Sequence, residues 1–64
     1  MRVFHYNRWS GTPRTVECDR VIFTPGHVVF ERVVHDESGA VSGTFIVLAE
    51  KNEHVGELKE IETV

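Results

Sequence analysis

The chain holds a single cysteine, Cys18, among its 64 residues. No intrachain disulfide can form, so the disulfide-stapled folds of small secreted domains are excluded. Long hydrophobic runs are missing too: the apolar stretches are a few residues each, far below the roughly 20 of a membrane-spanning helix. The mixed segment after Met1 lacks the apolar core of roughly 7–15 residues that marks a secretory leader. These absences lead us to expect a cytoplasmic protein without membrane association. Metal-ligand spacing is also wanting. Four histidines (His5, His27, His35, His54) accompany Cys18, but no CxxC, HxH or HxxxH pair occurs. His27 and His35 fall on one expected strand, roughly 26 Å apart at ~3.3 Å per residue, too far to share an ion. No metal and no cofactor is expected.

What is present is a short chain with a divided charge. A domain of this size buries only about 60% of the surface its unfolded chain exposes, and such domains usually need a staple. With disulfide and metal set aside, a second subunit remains. The net charge is −3, which disfavours non-specific attachment to nucleic acid. Residues 1–32 carry all five arginines against three acids, a net of +2, and residues 33–64 carry two lysines against seven acids, a net of −5. Strands from the two halves interleave in a small sheet, so this asymmetry need not survive as a surface field.

Alternation of period two runs through most of the chain. In "RVFHYN" (2–7), Arg2, Phe4 and Tyr6 share the expected core face, and Val3, His5 and Asn7 the other. "RTVECDRVIFT" (14–24) alternates up to Asp19 and then turns continuously apolar, which predicts a bend or bulge near Asp19–Val21. "TPGH" (24–27) carries the residues of a type II turn, with Pro25 fixing φ and Gly26 supplying a positive φ. "HVVFERVVH" (27–35) places Val28, Phe30 and Val34 opposite Val29 and Val33. After the polar turn "DESGA" (36–40), where Gly39 suits a positive φ, "VSGTFIVLA" (41–49) sets Val41, Phe45, Val47 and Ala49 against Ile46 and Leu48, with a bulge expected at Gly43. The tail "EKNEHVGELKEIETV" fits either a short amphipathic helix through Val55, Leu58 and Ile61 or a final bulged strand. The expected fold is all-β and single-domain over 1–64: an antiparallel meander or small open barrel of four to five strands.

Both faces of strands 27–35 and 41–49 are apolar, and one sheet with one wet face has no use for that. Either the sheet curls on itself or a second copy covers it, so a homodimer is expected. For nucleophilic catalysis Cys18 would need a base and an oxyanion hole; on the face of Val16 it reads as a small buried hydrophobe. The acids Asp36, Glu37, Glu57, Glu60 and Glu62 lie in a turn and a polar tail, where solvation explains them. No enzyme is expected.

The densest recognition chemistry is in "HYNRWSGTPRT" (5–15). Trp, Tyr and Arg dominate binding hot spots, and loops carry binding residues on rigid scaffolds. Tyr6, Arg8, Trp9 and Arg14 are therefore the expected protein-binding residues. Trp9 is open to a second reading, as a lid over one end of a small core. Phe4, Tyr6, Trp9 and the arginines also have the right types to stack and neutralise a single-stranded nucleic acid, an alternative that the net charge disfavours.

Across the whole chain, the order of "RVFHY", "VECDRVIFTPGHVVFERV" and "EHVGELKEIE" resembles the short, uncharacterised β-rich proteins of actinobacteria and their phages. The resemblance lies in strands and turns and carries over no site residues; the Trp9-bearing gap is longer than in the shortest of those proteins. It implies an all-β fold and a phage or mobile-element accessory role, acting by binding a host protein.

Overall fold

The computed structural model describes residues 2–63. Six strands form: β1 (Arg2–Arg8), β2 (Pro13–Cys18), β3 (Arg20–Phe23), β4 (His27–His35), β5 (Val41–Lys51) and β6 (Val55–Thr63), with one 3₁₀ turn at Asn52–His54. They make two three-stranded antiparallel sheets, ordered β2-β1-β6 and β3-β4-β5. The expected all-β architecture is therefore present, open rather than closed. The C-terminal segment is a strand.

Only Asp19 separates β2 from β3, so residues 13–23 form one strand bent across both sheets. The bend expected near Asp19–Val21 falls here, and the aspartate builds it. Its N–H donates to the Glu31 carbonyl at 2.8 Å, and its carboxylate accepts the Val33 N–H at 2.6 Å. A charged acceptor at this corner satisfies an N–H of β4 just where β3 stops pairing with it.

The core sits between the sheets. Phe4 and Tyr6 of β1, Val16 and Cys18 of β2, and Val28 and Phe30 of β4 are buried together, with Val21, Leu48, Val55 and Leu58 packed around them. Tyr6 stacks on Phe30 at 5.5 Å between ring centroids, and Phe4 meets the same ring tilted at 6.4 Å. Phe30 is thus the hub. Truncating it to alanine should cost roughly 3–5 kcal/mol, about all the stability a core this small supplies.

Three local expectations are corrected. Gly26 does not adopt a positive φ; among the described glycines only Gly11 and Gly39 do, at 87° and 88°. In the 24–27 turn, the Thr24 hydroxyl takes the His27 N–H at 3.0 Å and the Thr24 N–H reaches the His27 carbonyl at 2.9 Å, so side-chain closure replaces the expected type II geometry. Second, Ile46 and Leu48 do not share a face. Leu48 pairs with Phe30 on the core side and Ile46 pairs with Glu31 on the outer side, because the register shifts at Val47. Third, a further shift at Ser42, beside the expected Gly43, parts Val41 from Phe45 in the same way. An added residue reverses the phase of every side chain beyond it.

Candidate binding surfaces

Tyr6 is fully buried, so it leaves the expected recognition set and joins the core. Its phenol needs a partner there and donates to Glu50 Oε2 at 2.7 Å. Glu50, 8% exposed, is the one charged side chain buried among the described residues. Arg8 Nε stands 3.3 Å from the same oxygen, an ionic contact without hydrogen-bond geometry. Arg14, opposite Tyr6 across β1 and β2, bears on the hydroxyl as well. Burial first, and then the bond to Glu50, push the Tyr6 phenol up to about 12, with Arg14 opposing. Tyr6 and Arg8 thus meet at a carboxylate that sequence reasoning passed over, and Arg14 bears on the same hydroxyl. A signal existed: Glu50 has the parity of Leu48, and a buried tyrosine needs an acceptor.

Trp9 is 70% exposed, which removes the lid reading. It occupies the tight β1–β2 connection, closed by Gly11 N–H to the Arg8 carbonyl at 2.7 Å and Arg8 N–H to the Thr12 carbonyl at 2.9 Å. The indole meets the His54 ring at 5.7 Å. His54 ends the 3₁₀ turn, whose Asn52 amide donates to the Thr24 and Pro25 carbonyls at 3.1 and 3.3 Å, and whose Asn52 N–H reaches the Gly26 carbonyl at 3.2 Å. Three connections are therefore tied together at one end of the molecule. Phe23, exposed to the same extent as Trp9, leads into one of them. A large aromatic on a braced loop loses little freedom on contact, the condition for tight recognition.

No protein-family model matches this chain, and no curated protein or solved structure is significantly similar to it. Its surfaces therefore speak through their chemistry alone.

Arg14 also borders a groove of about 700 Å³ between β2 and the distal part of the β4–β5 hairpin. Val16, Arg32, Phe45, Val47 and Leu48 line it with Arg14. Arg32 lies over Phe45 at 6.0 Å, within cation–π range. Beyond Glu31 the hairpin continues as a two-stranded arm past the last residue of β4 that β3 pairs with. Phe4 and Tyr6, two of the aromatics a stacked nucleic acid would use, are buried.

Cys18 is fully buried, and burial pushes its thiol up, so it is held as an unreactive core residue. Among the described residues no three His, Cys, Asp or Glu side chains converge where they could hold a metal ion. No described helix is long and apolar enough to cross a membrane. The Glu62 side chain lies outside the described residues.

Proposed function

We propose that this protein is a non-enzymatic, cytoplasmic binding module that engages another protein through its Trp9 end. The carrying observation is the exposure of Trp9 on a loop braced against the 3₁₀ turn and, through Asn52, the 24–27 turn. Arg8 flanks it, its guanidinium held by Glu50, so the cation is pre-positioned rather than free to collapse. Tryptophan and arginine at a rigid surface are the residue types that dominate hot spots. Arg14 lies apart, in the groove, and contributes to the field there rather than to the Trp9 contact. The resemblance to phage-borne proteins gives the reading its setting, an accessory role on a host protein.

The test compares the wild type with Trp9→Ala in capture from cells of the source organism, followed by reconstitution with the purified captured protein. A partner should bind about 30-fold more weakly to the variant, the equivalent of a 2 kcal/mol hot spot, while the variant stays folded. Equal binding by both forms would remove Trp9 from the function. Capture of single-stranded oligonucleotides with a steep salt dependence would favour the nucleic-acid alternative.

A further inference from the structure

Apart from the Asp19 carboxylate on the Val33 N–H, the arm of the β4–β5 hairpin pairs with no further strand among the described residues, and its side chains are of the wrong kind for water on both faces. Val34, Val41, Phe45, Ile46 and Val47 are each 42–61% exposed. Register places Val34 and Phe45 on the inner face and Val41 and Ile46 on the outer one. Curling of the sheet cannot hide both. These five leave apolar surface on both faces of the arm.

Strand β5 is also the outer edge of its sheet, so one row of its N–H and C=O groups meets no strand. Natural edges are guarded by charge or proline. From Ala40 to Ala49 this edge has neither. The other three edge strands do carry charge: Arg14 and Glu17 on β2, Arg20 on β3, and Glu57, Lys59 and Glu60 on β6. That contrast selects the occupant. A strand laid antiparallel against its own copy across a two-fold axis meets its own side chains, and a charged residue on the axis meets its like. Of the four edge strands, only β5 offers a long stretch, Val41–Ala49, with neither charge nor proline. The shifts at Ser42 and Val47 bound a regular segment, Gly43–Ile46, where such an axis fits.

We infer that the chain is a two-fold homodimer joined by antiparallel β5–β5 pairing, which sets the apolar side chains of the two β5 strands beside one another across the seam. Pairing makes the two β3-β4-β5 sheets one six-stranded sheet and closes the unguarded edge. It stands apart from the Trp9 reading, since Trp9 lies at the end of the molecule away from the arm's tip, and it makes the dimer bivalent.

Sedimentation of the full chain between ten and two hundred micromolar is the test, with Ile46→Lys and Ile46→Glu as probes. Ile46 is 60% exposed in the monomer, so neither charge disturbs its core. The wild type should sediment as a dimer, each variant alone as a folded monomer by circular dichroism, and an equimolar mixture of the two as a dimer again. That restoration also shows that neither variant was simply misfolded. Monomeric wild type across the range, a dimer that survives both substitutions, growth into open polymers, or a mixture that stays monomeric would each overturn the inference.

Discussion

Removing one oxygen atom from the core tests how the two sheets are joined. In Tyr6→Phe the ring keeps its stacking on Phe30, while Glu50 loses the hydroxyl that donates at 2.7 Å. A hydrogen bond to a charged group contributes about 1.5–3 kcal/mol, and here the acceptor stays buried without it. The expected loss near pH 7 is therefore about 2 kcal/mol, or roughly 8–16 °C in Tm for so small a domain. Alkali supplies an independent check. Folding raises the Tyr6 phenol from 10 to about 12, so the unfolded chain releases this proton first. The stabilisation is complete below pH 10 and is lost as pH climbs toward 12. Two units correspond to about 2–3 kcal/mol. Urea titrations followed by far-ultraviolet circular dichroism at pH 7, 9, 10.5 and 11.5 should show wild type and variant converging at the alkaline end. Glu50→Gln in a double-mutant cycle should give a coupling of about 1 kcal/mol or more. An unchanged midpoint for Tyr6→Phe at pH 7, or a gap constant through pH 11.5, refutes the bond as a tie between the sheets.

Gly39→Ala should cost about 1 kcal/mol because its φ is 88°, whereas Gly26→Ala, with no positive φ and open space around the site, should move urea stability by less than ~0.5 kcal/mol. Glu57 holds φ at 54°, a left-handed conformation unfavourable for glutamate; Glu57→Asn should raise stability by about 0.5 kcal/mol, and a loss would show that its bond from Asn7 outweighs the strain. Trp9→Ala should leave the melting temperature within about 3 °C, and the wild-type indole should emit near free tryptophan and quench readily with acrylamide; blue-shifted, protected emission would return it to the core.

Much of the fold is legible in the sequence where period two runs unbroken. Phe4 and Tyr6 point inward as their alternation requires, Gly39 turns where its neighbours are polar, and the apolar run after Asp19 marks the sheet change. Strand β5 was illegible because its shifts fall within a run of like residues: Val47 looks the same in sequence whether or not it reverses the phase. "TPGH" misleads because the Thr24 side chain supplies the closing acceptor, and no propensity for Gly26 foretells that. Of the four expected binding residues, Trp9 stands exposed in its loop, Arg8 is tethered, Arg14 lines the groove and Tyr6 is inside. Alternation had already placed Tyr6 beside Phe4, and that parity outweighs the hot-spot chemistry of its side chain.

The pairing of β1 with β6 sets an order of events for the folding chain. Arg2 pairs with Thr63 and His5 with Lys59, contacts more than fifty residues apart, whereas β3, β4 and β5 meet through short turns. Loop-closure entropy favours the local hairpins first. A ribosome releases β1 before the other five strands, yet Tyr6 has no acceptor until Glu50 emerges and β1 has one open edge until β6 follows. The earliest of the six strands is thus among the last secured, and through that interval its apolar face depends on β2 alone. Substitutions in β6 should then chiefly accelerate unfolding, while those in the β3–β4–β5 hairpins should slow folding itself.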